Sequence, residues 1–258
     1  NFDFTRDFFS AYVNYGQKFG KFGMQLGLRA EQFKDKGDYF YNNGVGSIKN
    51  DKLDFFPSAF LTYDVTEKGQ VLLNYSRRID RPGIDQLSPV AEWSTPMITS
   101  IGNPNLRPEY TDNFEVGFLQ RLGKNTITAN AFYRIVKDNI FRNVQVDEKD
   151  REKFIQNYEN YDKVNAYGFE LSFNLVPTKW WSSNISGDYT FNTMVVKRLD
   201  ANDNPYTQEI DANRLTARMS NTFKVSKAIS LQHFFMYQGK FRFIQGEMQD
   251  MWRMDLGA

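Results

Sequence analysis

A chain of 258 residues with 32 basic and 31 acidic side chains carries a net charge of +1 and no cysteine. That balance leaves no basic stripe for a nucleic-acid partner, and the missing cysteines exclude disulfides and thiolate chemistry. Mean hydropathy is −0.59, and no apolar run approaches the roughly 20 residues a membrane-crossing helix needs. A β-barrel remains open to it, because a barrel strand turns only every second residue to lipid.

Alternation of period two predicts strands over 5–17 and 22–33, joined at Phe19-Gly20-Lys21. In the second, Met24, Leu26, Leu28 and Ala30 oppose Gln25, Gly27, Arg29 and Glu31. A polar connection over 34–52 leads to strands at 53–64 and 70–80, joined by Thr66-Glu67-Lys68-Gly69. After a second long connection, 81–111, strands at 112–122 and 125–136 flank Gly123-Lys124. Ile127, Ala129, Ala131, Tyr133 and Ile135 alternate there with Thr126, Thr128, Asn130 and Arg134; Phe132 is the exception.

The connection 137–163 precedes strands at 164–176 and 180–193 around Pro177-Thr178-Lys179. Phe169, Leu171, Phe173 and Leu175 face Gly168, Glu170, Ser172 and Asn174, and Trp181, Ile185, Tyr189 and Phe191 face Asn184, Ser186, Asp188 and Thr190. The connection 194–212 leads to strands at 213–225 and 228–239 around Ser226-Lys227, and 240–250 leads to a last strand beginning near 251.

Long strands with every short turn at one end and every long polar connection at the other describe a transmembrane β-barrel. Trp180 and Trp181 beside a short turn mark an interfacial belt. The short turns recur every ~50 residues, a kelch-like spacing, but each period holds two long strands, unlike the four short strands of a propeller blade. The strand count is eleven, an odd number for a closed bacterial barrel, and the chain stops inside an apparent strand. With Asn1 opening directly into strand-like sequence, residues 1–258 are expected to be one partial barrel domain of a longer protein.

Two motifs narrow the class. One is Asn74-Tyr75-Ser76-Arg77-Arg78-Ile79-Asp80-Arg81-Pro82; the other is Ile101-Gly102-Asn103-Pro104-Asn105-Leu106-Arg107-Pro108-Glu109, followed by Asn113-Phe114-Glu115-Val116-Gly117. In this order they resemble the outer-membrane barrel of TonB-dependent receptors, as do Phe55-Phe56-Pro57-Ser58 and Arg253-Met254-Asp255-Leu256-Gly257. The resemblance implies an all-β, antiparallel up-and-down barrel of about 22 strands, of which about 11 are present. It also implies an N-terminal plug domain, a TonB-type energy-coupling complex acting through that plug, and uptake of a scarce nutrient. Physically, Pro104 and Pro108 bias Asn103 and Arg107 toward extended backbone, so the second motif reads as a rigid return to the barrel rim.

Catalysis finds no support. His233 is the one histidine and lies among strand aromatics, which removes any multi-histidine metal site. Asp200-Ala201-Asn202-Asp203-Asn204-Pro205, with Asp211 at the twelfth position, mimics a calcium loop but has Pro where that loop needs Gly. The run Asp147–Lys153 is of mixed charge and reads as a solvated loop or short helical turn. No cofactor or metal is expected.

Function is expected on two surfaces. The polar face bears Arg29, Glu31, Asn74, Arg78, Glu115, Arg134, Glu170, Asp188 and Arg218, which would line the lumen and meet the plug. Tyr39, Tyr41, Arg81 and Trp93 in the long connections would meet the ligand. The expected protein is thus a non-enzymatic receptor-transporter segment in the outer membrane, with lipid, plug, energy-coupling complex and an unidentified nutrient as partners. The alternatives are a passive channel or structural barrel, and a soluble propeller or sandwich binding module.

Overall fold

The computed structural model describes residues 2–41, 44–147, 150–199, 204–243 and 245–258. Strands β1 (Phe2–Phe19), β2 (Phe22–Tyr41), β3 (Gly44–Asp64) and β4 (Gly69–Asp80) run as an antiparallel meander. The connection over 81–108 contains one helical turn, α1 (Ile84–Leu87), and a small hairpin, β5 (Glu92–Thr95) with β6 (Ile98–Ser100). The meander resumes in β7 (Glu109–Leu122), β8 (Asn125–Val146), β9 (Phe154–Leu175) and β10 (Trp181–Leu199). It continues through β11 (Pro205–Asp211), which pairs back on β10, to β12 (Arg214–Lys224) and β13 (Ser230–Gln238). A hairpin of β14 (Phe241–Phe243) and β15 (Gly246–Met248) precedes the last strand, β16 (Met251–Gly257).

Eleven strands form the wall in the order β1-β2-β3-β4-β7-β8-β9-β10-β12-β13-β16. Among the described residues β1 and β16 are the two edges, so the sheet is open.

Gly20 (φ 57°) and Gly123 (φ 63°) open two-residue hairpins in the left-handed region, where a side chain would be strained. Phe19 and Phe22, and Leu122 and Asn125, then pair directly across these turns. The aromatic belt is built beside the fourth short turn, Pro177-Thr178-Lys179. Trp180, Trp181 and Phe223 lie 6.1–6.5 Å apart, centroid to centroid. The Trp181 indole donates to Asn221 Oδ1 (3.1 Å), and Asn221 Nδ2 donates to His233 Nδ1 (3.2 Å). His233 therefore serves as the last partner of an interfacial tryptophan.

Three of the predicted long loops are mainly strand. Residues 34–52 continue β2 and β3 in register up to Tyr41 and Gly44, 137–163 continue β8 and β9, and 194–212 pair as β10 and β11. These extensions lie beyond the hydrocarbon, where both faces are wet and no apolar period can mark a strand. Backbone pairing persists all the same, with side-chain pairs such as Lys34 Nζ to Asp51 Oδ2 (3.1 Å) in place of lipid contacts. At the tip of β8 and β9 the charged run closes a turn in which Lys153 hydrogen-bonds Asp150 and holds its carboxyl below the usual range; Glu148 and Lys149 lie outside the described residues.

Register defines two faces. Phe9, Val13, Leu26, Leu28, Phe55, Phe114, Val116, Phe169, Leu171 and Leu215 share one face and are exposed, an apolar surface that lipid covers. On the other face Leu87 and Leu106 from the connection pack with Phe2, Phe4, Tyr39 and Ile48 of β1–β3, and with Ile140 and Tyr158 of β8–β9. Strands that are not neighbours in the sheet meet on one cluster, so this face is the concave one.

Candidate functional site

All nine polar-face residues lie on the concave face, as the pairing passes from strand to strand. Arg29 opposes Phe56; Ser58 opposes Ser76; Asn74 opposes Glu115; Asn113 opposes Arg134. Asn130 opposes Glu170, Glu170 opposes Asp188, and Ser186 opposes Arg218. Phe132, the aromatic exception to the alternation, sits on this face directly opposite Gly168 and covers the position where a side chain is missing.

The nine divide by what they touch. Glu31, 4% exposed, is held between Arg29 Nε and Arg81 Nη1, both at 2.9 Å. Glu115 accepts from Asn113 Nδ2 (2.6 Å) and Asn74 Nδ2 (3.3 Å), and Arg134 Nε donates to Asn113 Oδ1 (3.3 Å). Arg78, Glu170, Asp188 and Arg218, in contrast, have no ion-pair partner among the described residues. Glu170 and Asp188 are two carboxylates set directly opposite one another, an arrangement that destabilises a sheet unless a cation or donor faces it.

Arg81 does not stand in an open loop. Its side chain is 13% exposed, paired to Glu31, with its guanidinium carbon 4.5 Å from the Phe33 ring centre and 5.4 Å from that of Phe8. Two residues nearer the mouth along β1, Arg6 grips buried Asp35 at 2.6 and 2.9 Å and donates to Pro82 O (3.2 Å). Sequence reading missed this second clamp, because Arg6 and Asp35 fell outside or at the edge of the apolar alternation. Tyr39 turns inward onto the Leu87–Leu106 cluster and covers Gly46. The side chains of Tyr41 and Trp93 lie outside the described residues.

The second motif fastens the connection across the wall. Gly102 N donates to Ser88 O and Asn103 N to Gln86 O, both at 2.7 Å. A Cβ at Gly102 would lie 2.5 Å from Ser88 O and 2.7 Å from Asp85 O and Gln86 O, so only glycine fits. Asn103 Nδ2 donates to Tyr158 O (2.9 Å), and Asn160 receives Arg107 N (2.9 Å) while donating to Arg107 O (3.0 Å). Arg107 Nε reaches Asp138 Oδ1 at 2.8 Å from a left-handed Asp138 (φ 54°) that interrupts the β8–β9 pairing. Between these anchors β6 pairs in parallel with Phe154–Gln156 of β9, capping an edge that β10 no longer covers. From the last long connection, 240–250, Gln245 accepts from Val144 N (2.9 Å) and donates to Val144 O (2.7 Å). The mouth of the wall is thus a set of fixed crossings.

Asp211, the last position of the calcium-like loop, accepts from Thr193 Oγ1 (3.1 Å), and 200–203 lie outside the described residues.

A family model described as "Outer membrane protein beta-barrel family" matches residues 1–258. The chain belongs to that family. This outer-membrane barrel superposes on the copper transporter OprC (TM-score 0.67, 15% identity), covering 98% of this chain and 40% of that one. The siderophore receptor PiuA from Acinetobacter baumannii gives TM-score 0.67 at 21% identity, with 99% and 37% covered. The ferric-catecholate import receptor Fiu from K12 E. coli gives 0.61 at 17%, with 99% and 38% covered. The family member therefore has the fold of TonB-dependent receptor barrels and spans about two fifths of their length. No curated protein sequence matches the chain. Its setting is the outer membrane, crossed by many β-strands.

Proposed function

We propose that this chain is part of the wall of a TonB-dependent receptor that captures a scarce nutrient at its outer mouth and imports it with energy relayed through a plug domain. The observation that carries the reading is the superposition of almost the whole chain on receptors named for copper, siderophore and ferric-catecholate import. The concave face supports it. Arg78, Glu170, Asp188 and Arg218 have no ion-pair partner among the described residues, and a plug supplying their counter-charges relieves the Glu170–Asp188 repulsion. Residues of the long connections, among them Tyr39, Tyr41, Arg81 and Trp93, then frame the ligand entrance. In that frame Arg81 acts by holding the connection and leaves direct contact to its neighbours.

The test uses the full-length gene product. A deletion strain complemented with it is grown on limiting iron, copper or vitamin, with and without the energy-coupling protein, and uptake is measured. Uptake that needs both the gene and the coupling protein is expected. Uptake that persists without coupling identifies a passive channel, and a water-soluble monomer without detergent ends the membrane reading.

A further inference from the structure

Two lysines are set against each other on the lipid side of the wall. Lys137 of β8 and Lys163 of β9 are direct partners in the antiparallel register. They share their face with Tyr133 and Ile135, the outward one. Like charges placed directly opposite destabilise a strand pair, and among the described residues neither ammonium has an acidic partner. Arg77, two strands away, is different: it already faces Asp112 at 3.8 Å.

Their depth is defined by the short turns. Lys137 lies twelve residues beyond Asn125, and Lys163 twelve residues before Leu175. A tilted barrel strand crosses the hydrocarbon in about 9–11 residues, so both ammonium groups emerge at the headgroup level of the leaflet on the long-connection side. That side is the outer leaflet.

Below them the outward face is hollowed. A groove of about 530 Å³ runs between Tyr133 and the Tyr75–Phe114 ring pair, whose centres are 4.9 Å apart. Ala59 and Ala131 line it, and their small side chains leave the space that a neighbouring strand would fill with Leu or Phe. An apolar groove open to hydrocarbon accepts an acyl chain.

We propose that Lys137 and Lys163 bind the phosphate of an outer-leaflet lipid, one of whose acyl chains occupies the groove beside Tyr133. An anion between the two ammonium groups converts their repulsion into a bridge that ties β8 to β9, and the acyl chain fills the groove. This site is on the outside of the wall and is independent of what passes through it.

The experiment uses the full-length protein, purified in zwitterionic detergent, stripped of lipid and titrated with a monophosphorylated lipid A under native mass spectrometry. Heat-modifiable migration on gels confirms that each variant is folded. The expected result is saturable binding that falls about fivefold for each of Lys137→Gln and Lys163→Gln. Binding should survive in the Lys137→Arg, Lys163→Arg double variant and weaken in Ala131→Phe, which fills the groove. Equal affinity in the double Gln variant, equal binding of the dephosphorylated lipid, or full displacement by inorganic phosphate at an equal concentration would each overturn the proposal. The last would identify a free-anion site.

Discussion

At the residue scale, the paired and unpaired charges of the concave face are chemically alike in sequence and opposite in consequence. Glu31 is a buried carboxylate with two guanidinium partners, so removing Arg81 leaves it paired to Arg29 alone, with one buried oxygen short of its donor. Arg81→Ala should lower stability by about 1.5–3 kcal/mol, read as a shift in the urea midpoint in detergent micelles or vesicles. Arg78→Ala, which breaks no pair, should shift it by less than about 0.5 kcal/mol. Comparable shifts would mean that the Arg81–Glu31 contact is not a structural clamp. The alternation of β2 places Arg29 and Glu31 on one face. It carries nothing about Arg81, fifty residues away, because that contact is made by a connection folding back over the wall.

At the element scale, strand length is governed by two solvents in turn. In hydrocarbon each strand must alternate, since one face meets lipid and the other a polar interior. Above the rim the same strand runs on through water, where only its backbone pairs define it. The apolar period is therefore a measure of the membrane span, and it ends where the span ends, near Gln32, Leu53, Val136 and Val164. This is why 34–52 and 137–163 read as loops and fold as hairpin extensions. The register inside the span is testable. Leu171 is 49% exposed on the lipid face and its neighbour Ser172 is on the concave face, so Leu171→Arg should cost about 2–4 kcal/mol and block assembly into vesicles. Ser172→Arg should assemble nearly normally, and equal defects in the two variants would refute the assigned faces.

At the scale of the whole molecule, short turns at one end and folded crossings at the other orient the wall in the bilayer. Single cysteines make this measurable, because the chain has none of its own. In the full-length protein on intact cells, Asp150→Cys at the tip of β8 and β9 should react with an impermeant maleimide. Thr178→Cys at a short turn should react only after the outer membrane is opened. The reverse pattern would invert the topology and move the lysine pair to the inner leaflet. The crossing of 81–108 belongs to this scale as well. It joins β1–β3 to β8–β9 through Leu87 and Leu106, so it braces a curved sheet whose direct backbone pairing reaches only nearest neighbours.

By itself the sequence determined the fold class, the eleven wall strands in order, the turns that join them and the face each membrane-embedded residue presents. All of these follow from a period-two pattern imposed by lipid on one side. It also held the two motifs whose resemblance pointed to a receptor barrel, and read the second as a rigid return to the rim. Tertiary structure alone decided what lies outside that pattern: the length of the strands above the membrane, the clamps Arg81–Glu31 and Arg6–Asp35, the left-handed Asp138 that meets Arg107, and which charges of the concave face have no ion-pair partner among the described residues. The physical reason is the same in each case. Hydrophobic periodicity records a residue's solvent, whereas these clamps and crossings depend on chain segments 29 to 101 residues apart arriving at one place, and no local pattern encodes that meeting.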